Sequence, residues 1–126
     1  MLNAIERKKG KVYILDQSRL PHEILRIECK GWKDVARCIR QLRIRGAPAI
    51  GIAAAMGVAL GAQEVRADSA RDLYHALGPV FEGLLATRPT AVNIKWAAER
   101  MMARLAGAVS GGADVSTARR LLWQEA

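Results

Sequence analysis

The apolar positions of the chain change period once, near Gly31. Before that point they come in short, roughly alternating runs: "NAIER", "KVYILD" and "ILRIEC". Alternation of this kind predicts strands with one buried face. "KKGK" between the first two runs predicts a hairpin turning at Gly10. "QSRLPHE" reads as a loop, because Pro21 has no N–H to give to a ladder. The expectation is a small three-stranded antiparallel sheet.

Beyond Gly31 the spacing is helical. Trp32, Val35, Ala36, Ile39 and Leu42 share one face, with Arg37 and Arg40 off it. Gly46 interrupts the pattern and Pro48 restarts it. A helix from about Pro48 to Arg66 is apolar on every side, which predicts a central position. Gly57 and Gly61 leave a flat strip on it where another helix can approach. A third helix is predicted over 69–85, with Leu73, Ala76, Leu77, Val80 and Leu84 inward and Gly78-Pro79 kinking it. "ATRPTAVN" resets the chain. The next helix is predicted from Pro89, with Thr87 or Arg88 near its cap, to Val109. Its stripe is Ile94, Ala98, Met101, Leu105 and Ala108. The Met and Trp side chains of "IKWAAERMM" are expected in the core. "SGGAD" reads as a linker, and "VSTARRLLWQEA" begins a further helix.

The fold class that follows is α+β and mostly helical: a sheet over 1–30, a helical bundle over 31–110, and a linker with the start of another helix over 111–126. At 126 residues this is one domain. A hydrophobic fraction of 51% supports a packed core, and only 5% aromatic residues favour helices over a β-sandwich.

Charge adds a direction. The formal net charge is +8, concentrated in "RKKGK" and in Arg37, Arg40, Arg43 and Arg45. Such a balance suits phosphorylated ligands, nucleic acid or acidic lipid, although "RKKGK" at a hairpin turn reads equally as solvated surface. Nucleic acid is disfavoured by the lack of aromatic stacking platforms and of a recognised motif. The longest uncharged run, Gly46 to Gln63, is short for a membrane span. The start "MLNAIERKKGK" lacks the apolar segment of a signal peptide, and the two cysteines suit a reduced, cytoplasmic setting.

Candidate chemistry centres on two places with one plan. Arg45-Gly46-Ala47-Pro48 and Thr87-Arg88-Pro89-Thr90 each set an arginine beside a helix start opened by proline. First-turn N–H groups are unpaired and carry partial positive charge. An arginine adds a forked, permanent cation, and Gly46 lets an anion reach the backbone. Brought together, the two starts would make a phosphate site. The competing reading is two surface arginines at unrelated helix starts. His22 and His75 lack metal-ligand spacing, so no metal is expected. Cys29 and Cys38 form no CxxC, and Cys38 reads as a half-buried structural thiol. Asp16, Glu23 and Glu28 flank strands without pairing as acid and base. The chain offers binding groups and no catalytic residue.

"RIRGAPAIGIAAAMGVAL" with "TRPTAVNIKWAAERM" resembles the N-terminal domain of the methylthioribose-1-phosphate isomerase family, which is related to the regulatory subunits of translation initiation factor 2B. "VYILDQSRLP" resembles the family's early strand and loop, and "GWKDVARCIRQLRIRGAP" its first helix. Asn93 in "RPTAVN" fits that family better than the related ribose-1,5-bisphosphate isomerases or the initiation factor subunits. The resemblance implies a sheet and helical bundle that a Rossmann-like domain follows in full-length members. It implies interconversion of 5-methylthioribose 1-phosphate and 5-methylthioribulose 1-phosphate in methionine salvage, without metal or organic cofactor, in a cytoplasmic homodimer. Arg45, Gly46, Ala47 and Arg88 match substrate-binding positions. The family's catalytic cysteine and aspartate lie in the second domain, and Cys29 and Cys38 do not correspond to that cysteine. The expectation is therefore a substrate-binding portion, inactive by itself. The alternatives are a scaffold module like the initiation factor subunits, or a protein like the ribose-1,5-bisphosphate isomerases.

Overall fold

The computed structural model describes residues 5–8, 10–16, 26–41, 47–88 and 92–126. Three strands come first: β1 (Ile5–Lys8), β2 (Lys11–Leu15) and β3 (Arg26–Cys29). They form an antiparallel sheet in the order β1-β2-β3, with Ile5 opposite Ile14 and Val12 opposite Cys29. Gly10 turns the hairpin at φ 76°, a conformation a side chain would resist. Alternation decides the faces. Val12 and Ile14 are fully buried, whereas Lys11 between the turn and Val12 is exposed and pairs with Glu28 at 2.8 Å. The loop expected over "QSRLPHE" lies outside the described residues.

Helix α1 (Trp32–Arg40) packs Val35, Ala36, Cys38 and Ile39 inward, as its spacing requires. Leu42 falls outside the described residues. No side chain of its own caps α1. The carboxylate of Glu64 does so from another helix, accepting the Trp32 N–H at 2.7 Å. A Cβ on Gly31 would meet that carboxylate at 2.6 Å, so the cap depends on glycine there.

Helix α2 (Ala47–Glu64) is the centre of the bundle, in contact with α1, with the three helices α4 (Gly78–Thr87), α5 (Val92–Ser110) and α6 (Val115–Glu125), and with β1. Its apolar circumference follows from that position: Ala53, Ala54, Val58, Ala59, Leu60 and Ala62 are all buried. The glycine strip receives α4. A Cβ on Gly61 would stand 2.8 Å from Val80 Cγ1, and one on Gly57 would stand 3.1 Å from Leu84 Cδ2.

The single helix expected over 69–85 is two: α3 (Ala70–Ala76) and α4, broken at Leu77. Pro79 is the reason. It has no N–H to continue the ladder and its ring excludes the carbonyl one turn back, so it is tolerated only in the first turn of a new helix. Fully buried Leu77 holds the joint in place. Ser69 caps α3 by accepting the Asp72 N–H at 3.1 Å. Leu73, Leu77, Val80 and Leu84 are buried as expected, and Ala76 is half-buried.

On α5 the buried residues are Ile94, Ala98, Met101, Leu105 and Ala108, the stripe its spacing predicts. Trp96 corrects the expectation of a core tryptophan: it is 65% exposed. It stands two residues from Ile94 and Ala98, about 200° round the helix from each, so the stripe itself turns it outward. Gly111 and Gly112 turn the chain, and Asp114 caps α6 by accepting the Thr117 N–H at 2.7 Å. Helix α6 is docked, not trailing. Ala118 and Leu122 are buried, and Arg119 donates to the carbonyls of Ala62 and Val65 at 2.8 and 2.9 Å. Those carbonyls close the C-terminal end of α2, where a guanidinium meets the negative end of the helix dipole. Arg7 joins the sheet to the same helix: it donates to the Trp123 carbonyl and lies 5.5 Å from the indole centre. Part of the basic "RKKGK" stretch is therefore internal structure.

Candidate functional site

The starts of α2 and α5 lie side by side. A Cβ on Gly51, in the second turn of α2, would stand 3.4 Å from the Asn93 carbonyl oxygen and 3.9 Å from Ala97 Cβ. The hollow between the two helices extends from Gly51 and Asn93 to Ala55 and Met101. The helices therefore run in the same direction, with both N-termini at one end. Parallel helices so placed superpose the positive ends of their dipoles. First-turn N–H groups at such an end suit an anion.

Arg88 closes α4, four residues before the start of α5. Its backbone stands at φ −148° and ψ 83°, and it is half-buried. Its extended backbone has a local cause: the ring of Pro89 clashes with a helical conformation at the preceding residue. Thr87 is buried, and its hydroxyl donates to the Leu84 carbonyl at 2.6 Å, closing the last turn of α4. The expected position of these two residues is thus corrected. Thr87 and Arg88 end α4 and do not cap α5, which begins at Val92, three residues past Pro89. Residues 89–91 lie outside the described residues.

Of the other predicted site residues, Ala47 opens α2. Arg45 and Gly46 lie outside the described residues, as does Arg43 of the basic run. Arg37 is 62% exposed and 3.6 Å from Asp34, one turn back on its own helix.

Flanking the paired helix starts is apolar surface. Ile52, Val92 and Trp96 are 47%, 53% and 65% exposed. Ile52 and Trp96 border the hollow between α2 and α5, about 360 Å³, which Arg100 and Glu125 close from α5 and α6 with a 2.8 Å ion pair. A larger hollow of about 560 Å³ lies on a different face of α5, among Tyr74, His75, Phe81, Glu82, Glu99 and Met102, away from the paired helix starts. It is lined by Gly78, where α4 begins, and by no residue of the α2 start. Among the described residues no group of three or more His, Cys, Asp or Glu could hold a metal ion. Nor is any helix among them long and apolar enough to cross a membrane.

Sequence reasoning missed two features. Asp16 flanks β2 and is fully buried, a carboxylate removed from water altogether. Cys29 and Cys38 are both buried and share a hydrogen bond, although nine residues apart and in no motif. Cys38, expected half-buried, is 3% exposed.

A small antiparallel sheet leading into a bundle around one wholly apolar helix, with two helix starts paired at one end, defines an architecture shared with known proteins. The chain belongs to the Initiation factor 2 subunit family, whose model matches residues 43–126. A methylthioribose-1-phosphate isomerase of Geobacter metallireducens is 49% identical over 122 residues, 97% of this chain and 35% of that one. The crystal structure of a 5-methylthioribose 1-phosphate isomerase from Pyrococcus horikoshii OT3 superposes with a TM-score of 0.86 at 33% identity, over 99% of this chain and 35% of that one. A translation initiation factor eIF-2B subunit delta from A. fulgidus superposes with the same TM-score at 34% identity, again over 99% and 35%. The chain thus spans about a third of the length of these relatives. The fold is common to both branches and does not separate them. Curated isomerases stand at 42–54% identity.

Proposed function

We propose that this chain is the substrate-binding portion of a methylthioribose-1-phosphate isomerase, acting on 5-methylthioribose 1-phosphate in methionine salvage. The observation that carries the reading is the pairing of the α2 and α5 starts, with Gly51 packed on Asn93; Arg88, which closes α4 four residues before α5, is assigned to the site by the resemblance. The resemblance adds Arg45, Gly46 and Ala47 on the α2 side. In this reading the doubly charged phosphate sits on the first-turn N–H groups, and the two guanidinium groups grip its oxygens in forked fashion.

The reaction explains why binding matters so much. The C1 oxygen of the substrate carries the phosphate, so the ring cannot open to a free aldehyde. The enzyme must open it and move a hydrogen from C2 to C1, which calls for acid–base groups in a site closed to water. This chain holds the phosphate while the acid–base groups come from the part of the relatives that it does not span. Residues 1–126 form one domain, with α6 leading toward that part. The full-length protein is a cytoplasmic homodimer with no cofactor.

Calorimetry with 5-methylthioribose 1-phosphate tests the reading, with Arg45→Ala and Arg88→Ala as controls. Saturable binding lost in both variants is the expected result. A complete enzyme of this sequence that kept its rate with both arginines removed would refute the site. The equal superposition on the initiation factor subunit favours one other reading, a scaffold module. Capture of a guanine-nucleotide exchange complex, with no sugar phosphate bound, would replace the first reading by that one.

A further inference from the structure

Two thiols stand outside the candidate site and have no part in the proposed binding. Cys29 is the last residue of β3, and Cys38 lies on the inward face of α1. The chain reverses between them through Lys30 and Gly31. That reversal brings the sulfurs together in a hydrogen bond inside the core. The two sulfurs are not equivalent. Cys29 is fully buried, and its thiol also lies 4.0 Å from the Ile27 carbonyl oxygen. Cys38 lines a surface hollow of about 280 Å³ together with Glu28, Asp34, Arg37 and Gln41. A small oxidant therefore has a way to Cys38 and none of comparable width to Cys29.

We propose that Cys29 and Cys38 are a redox pair, in which Cys38 takes a hydroperoxide from the hollow and Cys29 resolves it to a disulfide joining β3 to α1. The Cys38 sulfur, as thiolate, attacks the outer oxygen of the peroxide. The S–O bond forms, the O–O bond breaks, and the leaving oxygen takes a proton to depart as alcohol or water. Cys38 is then a sulfenic acid. Cys29 gives up its proton and attacks the Cys38 sulfur. The S–S bond forms, the S–O bond breaks, and hydroxide leaves with that proton as water. Two thiols lose two electrons, and the peroxide gains them.

The order of events has a physical basis. The hydrogen bond with Cys38, followed by burial, pushes the Cys29 thiol well above the ordinary thiol range. Cys38 lines the hollow and Cys29 does not, so Cys38 is the sulfur that reacts first. The hollow beside Cys38 carries Arg37 together with the carboxyl groups of Glu28 and Asp34. A thiol–thiol hydrogen bond also holds the sulfurs close enough that a bond of about 2 Å needs a small local movement, not a rearrangement.

The test uses the reduced, folded 126-residue chain and hydrogen peroxide, followed by alkylation, tryptic digestion and mass spectrometry. The expected product is one chain lighter by two hydrogens, with Ile27–Lys30 disulfide-linked to Cys38–Arg40, reversed by dithiothreitol. Dimedone should label Cys38 in Cys29→Ala, and should label nothing in Cys38→Ala. Circular dichroism checks that both variants fold. If either does not, the linked peptide in the unsubstituted chain decides by itself. Both thiols surviving peroxide in the folded chain, or disulfides forming only between chains, would overturn the proposal.

Discussion

At the scale of single residues, space decides more than propensity. Gly61 and Gly107 both sit inside helices, where alanine would ordinarily be preferred by about 1 kcal/mol. Around Gly107 nothing lies within 4 Å of an added Cβ, whereas at Gly61 the Val80 side chain is 2.8 Å away. Gly107→Ala should therefore raise stability by a few tenths to about 1 kcal/mol. Gly61→Ala should lower it by about 1–3 kcal/mol, because overpacking α2 against α4 outweighs the propensity gain. Urea denaturation of the two variants checks the opposite signs. The sequence showed the glycine strip but not what fills it, since Val80 and Leu84 arrive from a helix that follows a proline break. Trp96 is the reverse case. Its angle to the Ile94–Ala98 stripe was available from spacing, and reading it as core gave residue type priority over position.

At the scale of elements, helix ends are where the chain spends its polar groups. The Asp114 carboxyl lies below the usual carboxylate range, chiefly because it accepts the Thr117 backbone N–H. Its folded value is lower than its unfolded one, so the cap contributes fully at neutral pH and is lost as pH falls through the acid range. Thermal melts of Asp114→Asn should lie below those of the parent at neutral pH and converge with them as the pH is lowered. The other end of α2 depends on Arg119. Its two bonds to the Ala62 and Val65 carbonyls are charge-assisted, so Arg119→Ala should cost about 1.5–3 kcal/mol. Arg120 is exposed and donates to the Thr117 hydroxyl at a long 3.4 Å, so Arg120→Ala should stay within about 0.5 kcal/mol. Chemical denaturation of the pair separates the two roles. Periodicity located all of these helices, but it could not say which side chain closes which end. Glu64 caps α1 and Arg119 closes α2 across 32 and 57 residues of chain.

At the scale of the whole molecule, the helix starts that follow two sequence motifs, Ala47 and Val92, come to lie at one end of one bundle. Each motif was legible by itself: proline, small residue and arginine before an apolar helix. The parallel packing of α2 and α5 was not, because it depends on α3 and α4 returning the chain between them. The same passage through space brought Cys29 to Cys38 and Arg7 to Trp123, contacts that spacing alone does not encode. The tryptophan and isoleucine exposed beside the helix starts give the same end an apolar border. A site that closes water out needs such a border, and the chain spans only about a third of its relatives' length.

The central claim is that the first turns of α2 and α5 together receive a phosphate. Titration of the isotope-labelled chain with 5-methylthioribose 1-phosphate, followed by amide resonances, measures this residue by residue. The amides opening both helices should move together, and Arg88→Ala should weaken binding about tenfold to a hundredfold, the value of a lost charge-assisted hydrogen bond. Saturable shifts confined to one of the two helices, or to the Tyr74–Phe81 hollow instead, would contradict it.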